Sequence, residues 1–236
     1  MQAVRSLALA AALVAVLMLA ASGPGTRLGL WEWQMAFKLM KWAMFAGFGA
    51  AAVALLLLIF PRTRGQRPKP LFAALLLGLM AGAPLVALLM QSKQVPYIHD
   101  VTTDTRDPPS FVALEAARRA SPNGLAYGGA EVAAAQQSGY PHIRSLVIAA
   151  PPAQAFARAL ETARAMGWEI AGSDASSGRI EATATTLWFG FKDDVVVRIR
   201  PEGAGSRIDV RSVSRVGQSD VGANARRIQD YLSRLT

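Results

Sequence analysis

Asp193 and Asp194 are adjacent, and Arg198, Arg200, Arg207, Arg211 and Arg215 follow them closely in sequence. A carboxylate pair beside arginines can do acid–base chemistry when burial drives the two pKa values apart. Neighbours on a strand point to opposite faces, however, so this pair does not form a dyad by itself. The same alternation puts Arg207, Asp209, Arg211, Val213 and Arg215 on one face of one strand. Asp194, Val196, Arg198 and Arg200 share a face of the strand before it. Cross-strand ion pairs explain that pattern without a ligand. A second set, Arg211, Arg215, Asp220, Asn224 and Arg227, surrounds the corner SRVGQSDVGAN, where a strand gives way to a helix. A helix N-terminus beside arginine suits an anion, which makes this corner the leading candidate ligand site. His99, Asp100 and Asp104 offer a metal one imidazole and loose carboxylates without the HExxH spacing of a helical site. Hydrogen bonds to loop backbone are the commoner use of such residues. No serine lies in a GxSxG elbow and no glycine-rich phosphate loop follows a strand, so no catalytic residue and no cofactor is assigned. Two functions remain. One is a non-catalytic binding or scaffolding module for a lipid, an anionic small molecule or another envelope protein. The other is an envelope hydrolase or transferase that uses Asp193 or Asp194 with the arginines as charge stabilisers.

The elements that must position these residues lie in the C-terminal part. RSLVIAA (144–150) reads as a strand, and Pro151-Pro152 opens a helix with Phe156, Leu160, Ala163 and Met166 on one face. WEIAGSD, RIEATATT, VVVRIRP and RIDVRSVSRV read as four further strands joined by short turns. Val221, Ala225, Ile228, Leu232 and Leu235 stripe a C-terminal helix, with Ser219 or Asp220 as its cap. The expected fold class is α+β: β-α-β4-α, an antiparallel sheet with two helices on one face, similar to TATA-binding-protein-like and helix-grip topologies. Ahead of it, VPYIHDVTTDTRDPPSF (95–111) is polar and aperiodic and reads as an extended leading segment. Two short helices follow, FVALEAARRA with Ser110 as cap and GAEVAAAQQ. The apolar run Leu187-Trp188-Phe189-Gly190-Phe191 can line a cavity, face a membrane or fill core, the last being the most frequent use of such residues.

Composition places the N-terminal part elsewhere. Hydrophobic residues make up 52% of the 236 and charged residues 17%, a balance typical of membrane proteins. Residues 6–26, 42–61 and 70–92 carry no charge, and each approaches the ~20 residues that cross a bilayer as a helix. Helices are expected at about 6–22, 42–60 and 71–91, within a membrane region 1–94 ahead of a soluble domain 95–236. The first stretch, followed by Gly23-Pro24-Gly25, reads either as a retained span or as a cleaved signal peptide. The bilayer is therefore the first expected partner, with Trp31, Trp33 and Trp42 suited to its headgroup layer. Up to Gln94 there are nine Lys or Arg against one acid; from Val95 onward sixteen stand against fifteen. The net charge of +9 thus belongs to the membrane-flanking part, and the near-neutral remainder gives no basis for nucleic-acid binding. Arg62, Arg64, Arg67 and Lys69 in the loop PRTRGQRPKP point to a cytoplasmic loop by the positive-inside rule. The chain is then expected as a multi-pass protein of the bacterial inner (cytoplasmic) membrane, with its C-terminal domain on the periplasmic side. The absence of cysteine excludes disulfides, thiolate nucleophiles and Cys-ligated metals.

Three runs carry a resemblance: Ile98–Asp104 with Asp107–Phe111, then Gly178–Pro201, then Ile208–Ile228. Together they resemble the domain-of-unknown-function family numbered 1499, over about the last 140 residues. That resemblance implies a bacterial envelope protein with relatives in chloroplast thylakoids. It brings no established activity, ligand or catalytic residue.

Overall fold

A computed structural model of the chain describes residues 1–60, 62 and 68–236; Arg64 and Arg67 of the basic loop lie outside them. The chain divides into two compact units, Met1–Gln91 with Leu187–Gly190, and Ser92–Thr186 with Phe191–Thr236.

The first unit is built on three helices, α1 (Gln2–Arg27), α2 (Trp33–Ile59) and α3 (Lys69–Ser92). All three are long and apolar enough to cross a membrane. They begin before the expected helices: α1 runs from Gln2 through Gly23-Pro24-Gly25 to Arg27, and α2 starts at Trp33 rather than Trp42. A helix of 27 residues is about 40 Å long, beyond the ~30 Å hydrocarbon core, so its first turns can carry Trp33 and Lys38 in the headgroup layer. Small residues set the packing. A Cβ on Gly78 would stand 2.3 Å from the carbonyl oxygen of Gly47, and one on Gly82 would stand 2.7 Å from the Phe48 ring. Ala8, Ala12, Ala50, Ala54 and Ala74 are buried in one seam with Leu71. The bulkier Leu7, Leu17, Leu56 and Leu76 point outward, the division expected where helices pack through small residues in a bilayer.

The second unit contains β1 (Asp100–Thr102), α4 (Glu115–Arg119), α5 (Gly129–Gly139), β2 (Leu146–Ile148), α6 (Pro152–Ala165), β3 (Glu169–Asp174), β4 (Arg179–Thr185), β5 (Lys192–Glu202), β6 (Gly205–Ser214) and α7 (Ala223–Ser233). The sheet has six strands in the order β1-β6-β5-β4-β3. Every pairing is antiparallel, and β2 shares with β1 the edge of β6 that faces away from β5. The α+β reading therefore holds, and α6 and α7 cover one face as expected. Their Ala155, Ala159, Ala163, Ala225, Ile228, Tyr231 and Leu235 bury against Ile180, Ala182, Val195, Val197, Ile208 and Val210. Trp168 stacks on Tyr231 with ring centroids 4.9 Å apart.

The leading segment departs from its reading as a plain extended stretch. Residues 100–102 add β1 to the sheet, with Asp100 opposite Val213 and Thr102 opposite Arg211. Gln136 of α5 completes the outer edge of β1: its side-chain oxygen accepts from the Thr102 N–H at 2.9 Å, and its nitrogen donates to the Thr102 carbonyl at 2.7 Å. An edge strand this short is satisfied by a side-chain amide in place of a further strand. The following residues cross the second face of the sheet, where Phe111 and Leu114 bury against Val196 and Val213. Ser110 does not cap the first short helix, which starts only at Glu115. The carboxylate of Glu181 on β4 accepts from the N–H groups of Val112 and Leu114 at 2.7 and 2.9 Å instead.

Ile228 is fully buried between α7 and the sheet. An Ile228→Ala variant is expected to lose about 2–5 kcal/mol of stability, the usual cost of a large-to-small change at a closed core site. Denaturant unfolding followed by circular dichroism checks this; a loss below 1 kcal/mol would contradict the core assignment.

Candidate functional site

The sheet sorts the charged residues onto its two faces. On the face turned away from α6 and α7, Arg211 makes a two-pronged contact with Asp100, Nε to Oδ1 at 3.0 Å and Nη2 to Oδ2 at 2.7 Å. Beside it Asp194, without solvent exposure, accepts from Arg215 Nε and Nη2 at 2.9 and 2.8 Å and from the Thr183 hydroxyl at 2.8 Å. Arg118 of α4 stands 3.5 Å from the same carboxylate and donates to the carbonyl oxygens of Val213, Ser214 and Gly124. Burial lowers the Arg118 pKa, with Asp194 opposing. The Phe111 ring lies between the guanidiniums of Arg118 and Arg211, at 5.6 and 5.5 Å, so the charged layer is covered by aromatic carbon as well as paired.

Further along this face the sheet meets a cleft, a cavity of about 720 Å³. Arg200 and Arg207 line it from the sheet, Asp104, Arg106 and Asp107 from the leading segment, and Gln136, Tyr140 and Arg144 from α5 and the turn after it. Arg198, Arg200 and Arg207 converge on Asp209, which has no solvent exposure, with contacts of 2.9–3.0 Å. Arg207 and Arg198 also reach Asp104 at 2.8 and 3.4 Å, and Arg198 and Arg200 reach Asp107 at 3.0 Å. Ser145 donates to Asp209 at 2.5 Å. Burial works against ionisation of Asp209, but the Ser145 hydroxyl and the Arg198 and Arg207 guanidiniums outweigh it and hold this carboxyl below the usual range. Arg106 and Arg144 at the rim are exposed, and neither has a carboxylate partner among the described residues. Burial pushes the Tyr140 hydroxyl up to about 12, Asp220 adding to the effect.

The helix-covered face holds the remaining candidates. Asp193 pairs with Arg227 of α7 at 2.5 Å. Asn224, fully buried, donates to the His99 carbonyl oxygen at 2.9 Å and accepts from the Ser212 hydroxyl at 2.7 Å and from Arg227. The N-cap of α7 is Gly222, in the left-handed region, rather than Ser219 or Asp220; the Asp220 carboxylate lies just ahead of the helix and accepts from the N–H groups of Gly222 and Asn224 at 2.8 and 2.7 Å. Burial nevertheless raises its pKa, the two N–H groups only partly opposing. The seven residues proposed from sequence therefore do not converge. Arg211, Arg215 and Asp194 lie on one face of the sheet, and Asp193, Asn224 and Arg227 on the other. The N–H groups at the corner that would hold an anion already serve Asp220. The three weak metal candidates also part company. His99 Nδ1 lies 3.4 Å from the Gln218 carbonyl oxygen, Asp100 belongs to Arg211, and Asp104 belongs to the arginine cluster. Among the described residues no three His, Asp or Glu side chains gather as metal ligands.

Sequence reasoning anticipated the ion pairs across β5 and β6 but not the cleft. Tyr140, Arg144 and Gln136 come from segments with no chemical motif. The available signal was the spacing of Asp104 and Asp107 in a segment that must lie over a sheet face carrying Arg198, Arg200 and Arg207.

Replacing Asp209 by Asn is expected to cost about 3–5 kcal/mol at neutral pH, because three guanidiniums lose their shared carboxylate. The folded-state pKa is depressed, so this contribution is complete above the unfolded value of about 3.9 and fades as pH falls through the folded one. The gap between wild type and D209N should therefore narrow on acidification below about pH 4. Urea unfolding of both proteins across pH 7 to 3 measures it; a gap independent of pH would contradict the assignment.

Residues 100–235 match the family described as a protein of unknown function, DUF1499. No curated protein matches the chain. The family match takes in β1, the rest of the sheet, its helices and the segment that lies over its second face, more than half of the full length, and the chain therefore belongs to the DUF1499 family.

Proposed function

We propose that this protein is a membrane-anchored, non-catalytic binding module whose soluble unit takes an anionic group in the cleft between α5, the leading segment and the arginine-bearing end of the sheet. The observation that carries this reading is the pair of unmatched guanidiniums, Arg106 and Arg144, at the rim of a cavity whose other arginines already have carboxylate partners. Arginines without a carboxylate partner beside a charge-balanced network suit two-pronged recognition of phosphate or carboxylate. The same network speaks against the hydrolase or transferase reading. Asp193 and Asp194 lie on opposite faces and each is tied to arginine. Ser145 donates to Asp209, but three guanidiniums occupy that carboxylate, which leaves it a poor base for a serine nucleophile.

The three apolar helices support membrane anchoring. The basic residues of the loop between α2 and α3 support a cytoplasmic position for that loop, hence an inner-membrane protein with the soluble unit on the periplasmic side. A lipid headgroup, a soluble anion or an acidic patch of an envelope protein would each present the anionic group this reading requires.

Isothermal titration calorimetry of the full chain in nanodiscs, with inorganic pyrophosphate and glycerol phosphate as probes, tests the proposal. Saturable binding that weakens at least tenfold in an Arg106→Ala/Arg144→Ala double variant is expected. No heat with either probe, or binding indifferent to the double substitution, would refute the cleft as the site.

A further inference from the structure

The turn between β4 and β5 breaks the usual rule for turns. Connections between strands are ordinarily polar, with Gly, Asn, Asp or Ser setting the geometry. Here the tip reads Leu187-Trp188-Phe189-Gly190, and only Gly190, at φ 70°, follows that rule. Its base is well made: the Thr186 N–H donates to the Phe191 carbonyl oxygen at 2.8 Å, and the Thr186 hydroxyl accepts from the Phe191 N–H at 2.9 Å. Leu187 is 87% exposed; Trp188 is 46% exposed, with the Cδ1–Nε1 edge of its indole packed on Gly23 of α1, where an added Cβ would stand 2.2 Å from Cδ1.

These four residues group with the three apolar helices and not with the sheet unit. Within that helical unit Phe189 stacks on Phe37 of α2, ring centroids 5.6 Å apart, and Phe37 meets Trp33 edge to face at 5.9 Å. Trp33 and Phe37 occupy the first turns of α2, next to the α1–α2 connection that carries Trp31. Tryptophan at the end of a spanning helix marks the boundary between hydrocarbon and headgroups. The tip therefore belongs to an aromatic cluster at that depth.

We propose that the β4–β5 turn is a membrane-interface anchor, with Leu187 and Trp188 seated in the headgroup and upper acyl layer of the bilayer that the chain's own helices cross. Leucine supplies apolar surface and the indole an apolar ring with a polar N–H, the combination favoured at that boundary. The partner is a lipid surface, and the inference is independent of the cleft and its ligand.

The chain has no cysteine, so single-cysteine labelling is clean. Full-length Leu187→Cys and Ala175→Cys variants, the second in the exposed β3–β4 turn, would each be labelled with an environment-sensitive fluorophore in nanodiscs. Emission would then be quenched either by spin-labelled lipid or by aqueous iodide. The anchor predicts that lipid quenches the label at 187 several-fold more strongly than the label at 175, and that iodide does the reverse. Iodide quenching at 187 equal to that at 175 would overturn it. So would protection of position 187 from both quenchers, which would indicate cover by protein, such as a second copy of the chain.

Discussion

Charged side chains on a sheet face can be buried only if every one of them finds a partner, and in this protein that requirement governs how the rest of the sheet unit is arranged. β4, β5 and β6 send Glu181, Asp194, Asp209 and Arg211 to the face away from α6 and α7, and none of the four reaches solvent to any useful extent. An isolated charge in such a place costs several kcal/mol, and loss of one partner from a buried pair typically costs about 3–5 kcal/mol. Some partners lie on the sheet itself, Arg215 for Asp194 and Arg198, Arg200 and Arg207 for Asp209; the leading segment adds Asp100 for Arg211, Arg118 for Asp194, two backbone N–H groups for Glu181, and Asp104 for the arginines around Asp209. The leading segment thus forms a second covering layer, tied down chiefly by charge where α6 and α7 are held by apolar burial.

The same division of labour shapes the candidate site. A smaller cleft of about 330 Å³ lies where α6 ends beside the start of α7, lined by Met166, Trp168 and Arg227, and the pairs formed by Asp193 and Asp194 close the middle of the sheet. At the end of β5 and β6 the charges are more numerous than the covering segment can bury, and a cleft of about 720 Å³ opens there with Arg106 and Arg144 at its rim. A charge-balanced base under two arginines without carboxylate partners suits recognition of an anionic group more than proton transfer, because the Asp209 carboxyl is held ionised by its neighbours.

Much of the fold was legible in the sequence, for identifiable reasons. Ile180, Ala182 and Ala184 alternate, as do Ile208 and Val210, and the stripe from Ala225 to Leu235 has helical spacing. The covering layer was harder to read. β1 is three residues long, too short to show a period, and its edge is completed by Gln136, 34 residues downstream. Arg118 sits in EAARR, which reads as a solvated helix turn, yet it is among the most deeply buried side chains. The expected anion corner illustrates a different limit. Arg211, Arg215 and Arg227 are close in sequence, but strand alternation and the turn into α7 divide them between the two faces. The cleft was not legible because its walls come from three segments that only the antiparallel pairing brings together.

Hydrogen exchange at the amides of Val112 and Leu114 in the full-length protein tests the charge-clamped layer most directly, since both lie outside helix and strand and donate to the buried Glu181 carboxylate. If the segment is clamped as described, these two amides exchange as slowly as those in the centre of β6 and open only with the sheet itself. Exchange at the rate of an exposed loop while β6 stays protected would contradict the account.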